Sequence, residues 1–188
     1  MRSVLVGGVA GAVVLIAWLF VADGILGFKR GIDMDQLGEE RNVYTFLAQH
    51  VTEPGRYVIN PEPLPGQGFP GEAPIFAIHY SGLGHEDAGQ ELVVGLVSAI
   101  LACVAGAWLL AHASGGILSR YRSRVLFLAT VGAVVALLTI LGRFGLSGYS
   151  LGDAIALGLH DLAGWALAAL AICAVVKAGE EQVSRTAG

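Results

Sequence analysis

The sequence predicts an all-α membrane protein, a four-transmembrane-helix bundle with a small α+β extracytoplasmic insert between helices 1 and 2. Three observations lead there. The 188 residues are 55% hydrophobic and only 14% charged, with a mean hydropathy of +0.68, which is too apolar for a soluble domain of this size. Four apolar stretches approach or reach the roughly 20 residues that a helix needs to cross a hydrocarbon core of about 30 Å. The polar residues are also segregated: positions 23–91 hold all six prolines and eleven of the fifteen acids.

Helix 1 occupies residues 1–22, apolar from Val4 to Ala22. Arg2 ahead of it has the look of a signal-peptide start, but the run is long and the candidate cleavage site would carry Phe20 three residues before the cut. An uncleaved anchor is therefore expected. Residues 92–188 supply the other spans, Leu92 to Ala113, Val125 to Leu141 and Ala154 to Val176, then a C-terminal tail. The third span is short and ends at Arg143, whose long side chain can snorkel to the interface. In the fourth, SLGD at 150–153 fits a capping box that starts the helix near Leu151, with Ser150 as cap and Asp153 returning to the backbone. Small residues four apart (Gly7 with Gly11, Ala102 with Gly106, Gly132 with Ala136, Gly164 with Ala168) predict close helix contacts.

Arginine placement sets the expected orientation. SRYRSR, with Arg120, Arg122 and Arg124, lies between spans two and three, whereas the next loop has only Arg143. The positive-inside rule then puts both termini in the cytoplasm and residues 23–91 outside a bacterial inner membrane. Trp18 and Tyr149 would mark the outer interface, Trp108 and Tyr121 the inner. A net charge of −4 offers no basic footprint for nucleic acid. Cys103 and Cys173 fall at different depths and are expected as free, packed thiols.

Within the insert, Leu37, Val43, Tyr44, Phe46, Leu47 and Val51 recur at helical spacing after Asp33 or Asp35, either of which can cap the helix, and EPG at 53–55 ends it. RYVI at 56–59 and IFAIHY at 75–80 are β-rich runs. Between them, residues 60–74 contain five prolines and three glycines, too long and too broken for a simple turn. A helix on a two-stranded hairpin is expected, with Asn60, Pro61, Pro63, Pro65, Phe69 and Pro70 forming a loop suited to docking on another protein. His50, His79 and His85, with Glu86 and Asp87, match no zinc spacing and read as exposed polar positions.

The stretches LAQHVTEPGRYVIN, APIFAIHY and DLAGWALAAL resemble an uncharacterised group of small bacterial four-span membrane proteins, in which an outer helix ends in an EPG-like turn followed by two strands. The resemblance covers the insert and the last span. It implies no activity; Asp161 and Trp165 fall on its pattern and His160 does not.

The chemistry-bearing stretch is ALGLHDLAGW at 156–165, which sets His160 and Asp161 inside a span. Counting from Leu151 at 1.5 Å per residue, Asp161 lies roughly 10–15 Å into the bilayer, where an ionisable group needs a partner. The candidates are Thr139, the Trp165 indole and Arg143, making a bundle contact of Asp161, Trp165 and Arg143 the expected role. His160 is the candidate ligand of a tetrapyrrole, haem or bacteriochlorophyll, with Ala156 and Gly164 leaving room for a flat ring. Two serine motifs carry nothing. GYSLG at 148–152 caps a helix instead of following a strand, and GLSG at 145–148, similar to a rhomboid protease motif, sits in a four-span chain with His160 about 20 Å along. The expected function is a non-catalytic accessory or scaffolding subunit without cofactor, whose partners are the bilayer and other membrane proteins of a multi-subunit complex. The alternatives are tetrapyrrole binding through His160 and a small proton or ion transporter using Asp161.

Overall fold

The structure, a computed structural model, describes residues 1–33, 37–61, 66, 68, 72–82 and 88–177. The chain divides into a helical unit, Met1–Met34 with Glu91–Gly188, and a second unit, Asp35–Gln90. Among the described residues, four helices are long and apolar enough to cross a membrane: Arg2–Ile25, Leu92–Ala111, Tyr121–Gly145 and Leu151–Val175.

In the helical unit, α1 (Arg2–Leu19) runs without a break into a π-helical segment, Phe20–Ile25, and a single turn of helix, α2 (Arg30–Asp33), follows. Helix α4 (Ala88–Ala111) leads through the short α5 (Gly115–Ser119) to α6 (Tyr121–Leu141), which widens into a second π-helical segment, Gly142–Ser147. Helix α7 (Leu151–Val175) closes the unit. The third span is thus longer than its apolar run. It starts at Tyr121, because Arg124 is accommodated inside the helix, with Nη1 donating to Leu118 O at 2.9 Å and the guanidinium 5.7 Å from the Tyr121 ring centroid. SRYRSR is accordingly no free loop.

Helix α7 is the centre, packed along α1 on one side and α6 on the other. Glycines make this possible. A Cβ on Gly164 would come within 2.6 Å of the Trp18 ring, one on Gly11 within 2.6 Å of Ile172, and one on Gly132 would overlap the Trp165 ring. Each large side chain fills the room left by a missing one on the facing helix, which is how helices without a hydrophobic driving force between them gain van der Waals contact. The Trp165 indole also donates to Leu128 O at 2.7 Å, tying α7 to α6. Helix α4 touches this trio toward its C-terminal half, where Gly8 lies against Val104 and Gly106 against Trp165. The fully buried Cys103, Ala107 and Leu110 join Leu118, Leu128, Ile172 and Cys173 in one apolar core. From Leu92 to Val97 the same helix is exposed.

The second unit contains α3 (Glu40–His50) and two antiparallel strands, β1 (Gly55–Ile59) and β2 (Phe76–Tyr80), in register from Gly55 opposite Tyr80 to Ile59 opposite Phe76. The expected helix and hairpin are present. The expected cap is not: α3 begins at Glu40 with Glu39 at the N-cap, which accepts a hydrogen bond from Asn42 Nδ2 at 2.8 Å, and Asp33 belongs to α2. Asp35 lies outside the described residues. Helix α3 lies alongside β2 across an open groove of about 400 Å³ lined by Tyr44, Leu47 and Ile78 among others, and none of its residues is buried.

Candidate functional site

One end of the helical bundle carries a chain of five charged or titratable side chains. Lys29 Nζ lies 3.3 Å from Asp23 Oδ2; Asp23 Oδ1 lies 3.2 Å from His160 Nε2. His160 Nδ1 is 3.4 Å from Asp161 Oδ1, and Asp161 Oδ2 accepts from Arg143 Nη2 at 2.9 Å. The imidazole is the centre of this chain and is almost wholly buried, with a residue exposure of 5%. Its faces are covered by Phe28, stacked at 4.9 Å and 10°, and by Trp18 at 5.5 Å and 38°.

The local folding that builds this site is unusual and occurs twice. Both π-helical segments lie at this end, and each carries one member of the chain, Asp23 in the first and Arg143 in the second. A glycine in the left-handed region closes each, Gly27 at φ +66° one residue past the Leu26 cap and Gly148 at φ +80° at the cap itself, where a side chain would be strained. In both, the residue after that glycine bonds six positions back, Phe28 N–H to Ala22 O at 2.9 Å and Tyr149 N–H to Arg143 O at 3.2 Å. The widened turns reverse the chain tightly. The first brings Phe28 and Lys29 back to the His160 site. π-helical turns are rare and concentrate at functional sites.

His160 and Asp161 are neighbours on α7, and Arg143 is indeed the partner of Asp161. The other two candidates bond elsewhere, Thr139 to Ala136 O at 2.9 Å and Trp165 to Leu128 O. The helix continues through Arg143 as a π-helical segment, and the Arg143 side chain reaches the Asp161 carboxylate. Asp23, Phe28 and Lys29 were assigned to the insert by hydropathy, yet they belong to the helical unit. Ser150 caps α7 as expected, its Oγ accepting from the Asp153 N–H at 3.1 Å, but the Asp153 carboxylate receives the Ser150 hydroxyl at 2.6 Å instead of returning to a backbone N–H. Gly164, expected to leave room beside His160, is covered by the Trp18 ring, whereas Ala156 and Ala163 border an open groove of about 500 Å³ with Leu26 and Phe28. Of the docking-loop residues, Asn60 is exposed and Pro61 partly so. Pro63, Pro65, Phe69 and Pro70 lie outside the described residues.

Chemically, the site alternates unlike charges along Lys29, Asp23, His160, Asp161 and Arg143. A neutral imidazole has a single N–H to give, whereas here each ring nitrogen faces a carboxylate oxygen. The Asp23 contact is misaligned, so His160 Nε2 and Asp23 Oδ1 are buried without a proper hydrogen-bond partner, as are Trp18 Nε1 and Arg143 Nη1 nearby. Asp23 and Asp161 approach opposite edges of the ring and do not converge with it on one point; among the described residues no group of three or more His, Cys, Asp or Glu is arranged to hold a metal ion. A tetrapyrrole on either ring nitrogen would have to displace a carboxylate.

Beside the charged chain lies a cavity of about 570 Å³ between α1, α4, α6 and α7. Lys29, Asp161, Trp18 and Thr139 line it, and apolar or small side chains from Leu15, Gly95, Ala99, Ala102, Val131 and Trp165 make up most of the rest. At the opposite end of the bundle the buried core is apolar, and among the described residues Arg124 is the buried polar side chain there.

Fold and site together define a small protein of four apolar, membrane-length helices with a polar cluster confined to one end. No protein-family model, curated protein or solved structure matches the chain.

Proposed function

We propose that this protein is a non-catalytic accessory or scaffolding subunit of a larger membrane complex, held in a bacterial inner membrane by its four helices and meeting its partner through residues 35–90. One observation carries the reading. That unit has no buried side chain among its described residues, while Leu37, Tyr44, Phe46, Ile75 and Phe76 are exposed. A segment of this size with no interior of its own gains its stability from a surface that covers it. The arginine pattern supports an extracytoplasmic position for the unit, with both termini inside.

The polar chain on α7 fits this role as a clamp. It joins the end of α1, the Phe28–Lys29 turn, α7 and the segment after α6 at the end of the bundle where α4 stands away, and polar contacts of this kind bind membrane helices together. A membrane-crossing proton or ion path needs further polar groups beyond the cluster, and the apolar core at the opposite end gives that reading little support. The test is extraction from native membranes in mild detergent, followed by capture of the tagged chain. A second membrane protein should co-purify in constant ratio, and shortening the 60–74 loop should reduce that ratio while leaving the chain in the membrane. Recovery of the wild-type chain alone would reject the proposal.

A further inference from the structure

We infer that the 570 Å³ cavity between α1, α4, α6 and α7 is a binding site for one membrane phospholipid, its acyl chain in the cavity and its phosphate on Lys29. The inference rests on the four helices lying in a bilayer and is independent of whether a protein partner exists.

The volume falls within the range of pockets that enclose small ligands, about 300–1,000 Å³. Its shape has a direction. Along α6 the lining runs from Thr139, beside Lys29 and Asp161, to Val131, eight residues or about 12 Å, which compares with about 15 Å for the hydrocarbon depth of one leaflet. Charge therefore stands at one end and apolar wall at the other, the arrangement of a single lipid chain below its headgroup. Water is a poor occupant, because a buried water needs two to four polar partners and most of this wall has none. A protein helix, about 10 Å across with its side chains, is too wide.

The charged end favours an acceptor-rich headgroup. Lys29 carries three donors, of which Asp23 takes one at 3.3 Å, and its side chain remains about one-third exposed. Lys29 is the cation among the residues that line the cavity, and Trp18, whose Nε1 is a buried donor without a partner, lines it as well. A phosphate oxygen can accept the Lys29 donors that Asp23 leaves free. The opening has a physical origin too: α4 stands away from the other helices over its first turns, and Gly95 faces space, since a Cβ there would meet nothing within 4 Å.

The test uses the full chain purified in mild detergent, with bound phospholipid measured by native mass spectrometry. Wild type should retain about one phospholipid per chain, the stoichiometry of a single pocket of this volume. Gly95→Phe puts a ring into the open space without a backbone clash and should abolish retention, with Ser98→Phe on the same wall as a second filling variant. Lys29→Gln should bind several-fold more weakly. Bilayers containing brominated-chain phosphatidylglycerol give an independent readout in a Trp108→Phe background, where Trp18 and Trp165 line the cavity: quenching should be strong and should fall in Gly95→Phe. Unchanged lipid retention and quenching in both filling variants, with helical content intact, would overturn the inference, as would a wild-type chain that binds no phospholipid. A diacylglycerol displacing the phospholipid as well as a second phospholipid does would overturn the headgroup assignment. Failure of the membrane reading would look different, because the chain would then be released from membranes by alkaline carbonate.

Discussion

Removing Arg143 and Asp161 together should cost clearly less than the two single removals added, about as much as either one alone. The pair is short, 2.9 Å, and its side chains keep 24% and 33% of their surface. Breaking a fully buried pair costs about 3–5 kcal/mol, because the surviving charge has no partner, while an exposed pair is worth about 0–1 kcal/mol. With a quarter to a third of the surface still open, each single Leu variant should lose about 1–2 kcal/mol. Asp161→Leu should be the worse, since it strands Arg143 and also removes the carboxylate facing His160 Nδ1, whereas in Arg143→Leu the carboxylate still has His160. The double variant strands neither member of the pair and should recover about 1–2 kcal/mol of the summed loss as coupling. Asp161→Asn keeps an acceptor for Arg143 and should cost less than Leu. The assay is unfolding in mixed micelles of rising SDS fraction, followed by helical circular dichroism, for the four members of the cycle. Losses that add to within about 0.5 kcal/mol would refute the reasoning, because independent sites behave that way.

Three further outcomes follow from the packing and the arginine pattern. Gly132→Ala should destabilise by about 1–3 kcal/mol in the same assay, because its Cβ overlaps the Trp165 ring and threatens the bond to Leu128 O, whereas Gly95→Ala should be neutral or stabilising by up to about 1 kcal/mol. Trp165→Phe keeps most of the packing and should lose about 1 kcal/mol for the missing hydrogen bond, leaving Leu128 O unsatisfied. Cysteines introduced at Gly68 and Ser119 should label from opposite sides of the membrane with an impermeant reagent, against a quiet background because Cys103 and Cys173 are buried; labelling from one side would contradict the proposed orientation.

The four long apolar helices and the need of Asp161 for a partner were legible because each follows from a single strong cost, whereas the choice of Arg143 over Thr139 and Trp165 was not. A single apolar segment in lipid satisfies its own backbone as a helix, and a carboxylate there needs a partner. The fourth helix start was legible in SLGD for a similar reason, since the Ser150 hydroxyl meets an exposed N–H at the helix end. Hydropathy failed where the chain leaves the apolar run. It ended helix 1 at Ala22, but the backbone continues as a π-helical segment through Asp23 and turns at Gly27, so Phe28 and Lys29 return to His160. No residue pattern distinguishes that from the start of an insert, although a signal was present in hindsight: an Asp and a Lys six apart with glycines at 24 and 27 between them, facing a span that already needs polar partners. The cavity was not legible at all, because it depends on where α4 stands. The hairpin was legible from its β-rich runs, but that no described residue of the unit is buried was not, since Tyr44, Phe46 and Leu47 have the spacing of a packed face whether or not anything packs on it.

The most direct test of the subunit reading is a photo-crosslinking amino acid placed at Tyr44, an exposed aromatic position on α3. Irradiated in native membranes, it should yield one discrete adduct with a different protein, and the same partner should appear with the probe at Phe76 on β2. Probes at both positions that give no protein adduct would contradict the account.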